Sequence, residues 1–112
     1  MPSPSSPSVP MTDADKIEAA ALVLSLPEWW TQGALARSRS GHKVSYGDRS
    51  ASCFCAAGAL YAAGVSDRTM YLLLEKKKGL LGVWNDTPGR TNTEVASFLF
   101  DCADELRAKE RG

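Results

Sequence analysis

What this chain lacks narrows its class. No apolar run approaches the ~18 residues that a membrane-spanning helix requires, so no span is expected. There is no net charge: thirteen Lys and Arg balance thirteen Asp and Glu. That balance argues against a strongly basic nucleic-acid binder and against an acidic DNA mimic, although a local patch of either sign can hide within it. Histidine occurs once and cysteine three times. So few cysteines, in odd number, do not make a secreted disulfide framework. Free thiols and a cytoplasmic, reducing setting are expected. The N-terminal stretch also lacks the basic start and apolar middle of a signal peptide. No G-x-x-x-x-G-K-[ST] loop and no internal repeat occur.

What is present is ordinary globular material. At 112 residues and 44% hydrophobic, the chain can bury one core without staples. Residues 1–11 begin MPSPSSPSVP and read as a disordered Pro/Ser tail. Residues 12–110 read as a single helical domain. Thr12 can cap a first helix with Asp13 and Asp15 in its first turn, running to Leu26 ahead of Pro27. EWWTQGALAR, from Glu28, reads as a second helical stretch, with one of Trp29 and Trp30 facing inward and the other covering a groove or a neighbouring segment. Residues 38–50 form a polar loop, with at most a short β-hairpin around 43–47. The small-residue run ASCFCAAGALYAAG predicts a helix over 50–63, placed centrally because small residues permit close helix approach, and ended by Gly64. Ser66 or Asp67 caps another helix that closes at Gly79. Thr91 and Glu94 form a capping box, followed by an apolar stripe of Val95, Phe98, Leu99, Cys102 and Leu106. The expectation is an all-α, single compact domain of about five helices.

Three constellations carry candidate chemistry. Cys53, Cys55, Cys102 and His42 could suggest zinc, but on a helix positions two apart diverge by roughly 200° and cannot share an ion. No metal and no other cofactor is expected, and small buried thiols explain the cysteines. Asp86-Thr87-Pro88-Gly89 matches the D-x-x-G element of GTPases by letter, yet without a phosphate loop it reads as turn chemistry. The third is GVWNDTPGRTNTEV, residues 82–95. Trp84, Asn85, Asp86, Arg90 and Asn92 could form a ligand- or partner-binding patch beside a helix N-terminus. The structural reading is stronger: Trp84 docks in the core, Asn85 and Asp86 make Asx turns, Arg90 reaches an acid or carbonyl, and Thr91 caps the last helix. No catalytic set is evident.

The pattern resembles an uncharacterised family of small helical proteins, mostly from bacteria and their phages. The resemblance rests on Trp30 with Gly33-Ala34, on Cys53-Phe54-Cys55 running to Gly58-Ala59-Leu60, and on Trp84-Asn85-Asp86 with Gly89-Arg90-Thr91 and Glu94-Val95. It spans about residues 15–106. The resemblance implies an intracellular helical protein of phage or prophage origin, and it transfers no catalytic residue.

The favoured expectation is a protein–protein interaction or regulatory module, suggested by neutral charge, three tryptophans and the lack of a catalytic set. The alternative is a small-molecule-binding protein or minor enzyme using residues 84–92, with Asp86 as acid or base and Arg90 as anion clamp. Nucleic acid is the least favoured partner, supported by Arg37, Arg39, Lys43 and Arg49 clustered about one loop.

Overall fold

Thr12 starts the first element as its side chain predicts. In the computed structural model, which describes residues 11–111, Thr12 Oγ1 accepts from Asp15 N at 3.1 Å and Thr12 N donates to Asp15 Oδ2 at 3.2 Å. Two orphan donors of the first turn are thus satisfied. The helix, α1, spans Asp13–Leu24 and buries Ala14, Ile17, Ala20, Ala21 and Leu24 along one face. The expected 1–11 tail lies outside the described residues apart from Met11.

After α1 the chain departs from the helical expectation. Pro27–Trp29 makes a single 3-10 turn, and EWWTQGALAR does not continue it. Three strands follow instead: β1 at Ala36–Ser38, β2 at Lys43–Val44 and β3 at Ala51–Phe54. They form one antiparallel sheet with β1 in the centre. The fold is therefore mostly helical with a small sheet, and the all-α expectation is corrected. The reason is tertiary. Gly33 sits at φ +81, where a helix cannot continue, while Trp30 and Gln32 give their side-chain N–H groups to Asn85 and Thr87. Those bonds, with the turn at Gly33, outweigh the high intrinsic helical propensity of Ala-Leu-Ala-Arg.

The helix expected over 50–63 is likewise shortened. Residues 51–54 are strand, with Arg37 opposite Cys53 and Ala36 opposite Phe54. Helix α2 covers Ala56–Ala63, and Cys55 is its N-cap, with Sγ accepting from Gly58 N at 3.3 Å. Its end at Gly64, φ 85, is the left-handed glycine cap the sequence signals. The small residues of α2 let it pack closely on α1, and Gly58 also admits the chain leading into β1: a Cβ there would lie 2.0 Å from the Leu35 carbonyl oxygen. That same carbonyl accepts from Cys55 N at 3.1 Å, so β1 enters directly against the first turn of α2.

The remaining helices are α3 at Asp67–Lys76, α4 at Leu81–Asp86 and α5 at Asn92–Arg111. Ser66 caps α3 by accepting from Thr69 N at 3.3 Å. Asp13 clamps that cap to α1, accepting from Ser66 Oγ at 2.6 Å and Thr69 Oγ1 at 2.5 Å. Partial burial raises the Asp13 carboxyl, but these hydrogen bonds outweigh it and leave the group below the usual carboxylate range. Helix α5 opens on the expected capping box, with Thr91 N donating to Glu94 Oε1 at 2.9 Å and Glu94 N to Thr91 Oγ1 at 3.2 Å. The main neighbours of α1 are α5 and α2. Ile17, Leu24, Leu60, Met70, Leu81, Val95 and Leu99 are fully buried there. Each contributes about 1.5–3 kcal/mol by burial. Among the described residues no helix is long and apolar enough to cross a membrane.

Candidate functional site

Residues 84–92 form the end of α4 and the turn into α5, where a turn-rich loop ahead of the last helix was expected. Asn85 is 0% exposed. An amide side chain offers two donors and two acceptor sites. Here all four are filled: Oδ1 accepts from Trp30 Nε1 at 2.8 Å and Ala56 N at 3.1 Å, and Nδ2 donates to Thr31 O at 3.1 Å and Asp86 Oδ1 at 3.0 Å. The expected Asx turn is thus replaced by long-range bonds to the Trp30 segment and to α2. Asp86 Oδ1 also accepts from Gly33 N at 2.9 Å. Asn92 donates to Leu24 O at 3.1 Å, satisfying a carbonyl left open at the end of α1.

Trp84 is half-buried against Phe98, ring centroids 5.1 Å apart. Lys77 Nζ lies 4.4 Å and the Arg90 guanidinium 4.5 Å from its ring, both at cation–π distance. Arg90 further donates from Nε to Trp84 O at 3.0 Å and pairs with Glu94 at 3.4 Å. A depression of ≈ 480 Å³ beside it is flanked by Glu94 and Asp101. The five residues are brought together, but Asn85 spends all its polar atoms within the chain, and Arg90 and Asn92 are tied to it through Nε, Nη1 and Nδ2. Asp86 is exposed, and its Oδ2 takes no hydrogen bond among the described residues.

The cysteines are separated by their elements. Cys53 is half-buried on β3, Cys55 caps α2 and Cys102 lies buried in α5. Burial pushes both the Cys55 and the Cys102 thiols up, the latter to about 11. Protonated thiols of this kind are poor nucleophiles and poor metal ligands at neutral pH. Among the described residues no group of three or more His, Cys, Asp or Glu converges on a point. His42 Nδ1 lies 2.8 Å from Ser40 Oγ in the exposed β1–β2 turn.

A different surface carries concentrated charge. Residues 36–54 hold Arg37, Arg39, Lys43 and Arg49 against the single acid Asp48. That segment is formally +3, so the rest of a neutral chain is −3. Two adjoining grooves, ≈ 560 and ≈ 520 Å³, run over this side of the sheet. Trp29, Ser38, Arg39 and Ser52 line both; Arg49 belongs to one, and Arg37 and the acid Glu28 to the other. Arg37 is fixed by donating to Gly41 O at 3.0 Å and Gln32 O at 3.2 Å, bonds that orient its guanidinium without neutralising it. The ion pairs among the described residues join Lys76 to Glu105, Arg90 to Glu94, and Arg107 to Asp15 and Glu18. None involves a sheet arginine. Trp29, 42% exposed, stands at the meeting of the two grooves. Sequence reasoning found the basic cluster but not Trp29 beside it, because it placed Trp29 in a helix.

Residues 8–105 match one family across most of the chain. The chain belongs to the family of unknown function DUF6197. No curated protein and no solved structure matches it. Membership in DUF6197 covers both the buried Asn85 network and the basic sheet, and it assigns a role to neither.

Proposed function

We propose that this chain is a non-catalytic binding module that recognises an anionic partner through the grooved outer side of its sheet. The observation that carries this reading is the convergence of Arg37, Arg39 and Arg49 on Trp29, with no ion pair to any of the three among the described residues. Glu28 lines the lobe that holds Arg37 but forms no ion pair with any of the three arginines, so the guanidinium groups outnumber it and attract an incoming anion, and a positive groove on a negative body orients that approach. The raised thiols and the engaged polar atoms of residues 84–92 leave little for catalysis.

The test is retention on immobilised heparin, a generic polyanion. Wild type should bind at low salt and elute as salt rises, and an Arg39→Ala/Arg49→Ala double variant should elute clearly earlier. Flow-through of wild type at low salt, or identical elution of the two proteins, would overturn the reading. The second reading is a protein–protein module, in a phage or host regulatory setting, using apolar contacts. It draws on Leu22, Leu26 and Trp29, all exposed at the end of α1 and in the turn after it. It predicts partner binding that is insensitive to salt and to the two arginines.

A further inference from the structure

We infer that the anionic partner is a single-stranded nucleic acid, with a base stacked on Trp29 and the flanking phosphates held by Arg39, Arg49 and Arg37; this rests on the anion-binding reading above. Two independent features point the same way. The first is the charge: three cations in the grooves are all arginines, whose planar forks match phosphate oxygens bidentately. Ser38 and Ser52 share the groove walls with them, but their hydroxyls are engaged within the chain, Ser38 Oγ with Ser40 Oγ at 2.9 Å and Ser52 Oγ with Arg37 O at 3.4 Å, so the arginines carry the phosphate contacts. The second is Trp29. Trp29, a large aromatic residue left 42% exposed beside arginines that form no ion pair, offers a stacking platform, which every base can use and a carboxylate side chain cannot.

The layout of the grooves fits a strand that passes over the tryptophan. Trp29 and Arg39 lie where the two lobes join, Arg49 lines one lobe and Arg37 the other. A base on Trp29 would therefore have cations on both sides along the backbone. The base must be unstacked to reach the ring, which favours a single strand over a duplex. Helix α5 offers no alternative footprint: Glu94, Asp101, Asp104, Glu105 and Glu110 outnumber its basic residues.

The experiment is fluorescence anisotropy of a labelled short oligothymidylate across a salt series, with inorganic polyphosphate and polyglutamate as competitors. Circular dichroism first checks that each variant folds. For two to three phosphate contacts, log affinity should fall against log salt with a slope of about −1.4 to −2, and removing Arg39 or Arg49 should reduce that slope by about 0.7. Trp29→Ala should weaken oligonucleotide binding about tenfold at unchanged slope, Trp29→Phe should restore most of it, and polyphosphate binding should ignore both variants. If Trp29→Ala binds the oligonucleotide as wild type does, base stacking is wrong although the anion reading survives. If polyglutamate displaces the oligonucleotide as well as polyphosphate does, the nucleic-acid assignment falls to an acidic peptide. If no polyanion binds, both readings fall.

Discussion

Helix α1 and strand β1 abut the same core but are held in different ways. α1 has its own N-cap, its own ladder of hydrogen bonds and a five-residue buried face. β1 has three residues, of which Ala36 alone is fully buried, and its stability comes from what lies around it. β2 and β3 supply its backbone bonds, and the Leu35 carbonyl leads it into the first turn of α2. Electrostatics follow the same division. The sheet segment carries a formal +3 and the rest of the chain −3. An element that supports itself can be read locally and can tolerate a local fault. An element supported from elsewhere fails when a distant contact is lost.

The sharpest test of that dependence is Gly58→Ala. The added Cβ would meet a backbone oxygen at 2.0 Å, which no rotamer change relieves. We expect a loss of at least about 3 kcal/mol in urea denaturation, with the sheet most affected. A loss under half that would show that β1 shifts freely and that its seat on α2 is loose. Asn85→Ala comes next. It strands the indole N–H of Trp30 and the amide of Ala56, and should cost about 2–4 kcal/mol by thermal unfolding. A near-neutral result would mean that the Trp30 segment does not depend on α4.

Thr91→Ala probes the self-supporting side and should cost about 1 kcal/mol, the usual worth of an N-cap. Acid titration separates the Asp13 clamp from the rest. Its folded carboxyl lies below its unfolded value of 3.8, so its stabilisation is fully present above that value and is lost as pH falls through the folded one. Stability of wild type should therefore decline below about pH 4, and Asp13→Asn should flatten part of that decline. An unchanged acid limb in the variant would assign the decline to Asp15, Asp48, Glu94 and Glu105, also held below their ordinary values by hydrogen bonds and, for all but Asp48, ion pairs. The smallest expected effect is Arg39→Ala, within about 0.5 kcal/mol of wild type in stability. A larger loss would make that arginine part of the scaffold and weaken the binding proposal.

The zero net charge weighed against nucleic acid in the sequence, yet a sum over the chain conceals a division between layers. Residues 84–92 were legible as a helix start through Thr91 and Glu94, a motif that closes within four residues. Asn85 was legible as polar and turn-forming but not as buried, since its partners lie 29 to 55 residues away apart from Asp86. Trp29 and Trp30 divided as expected, one exposed and one turned inward, although the segment carrying them is not a helix.

By itself the sequence determined α1, α3, the end of α2 at Gly64 and the start of α5. In each case capping side chains, left-handed glycines and a 3.6-residue apolar period act within a turn or two of the backbone they organise. Tertiary structure decided the sheet, the burial of Asn85 and the meeting of Trp29 with three arginines. Strand pairing and a four-way amide network are contacts between distant segments, and short stretches such as Ala-Arg-Ser and Ala-Ser-Cys-Phe have no periodicity long enough to announce them.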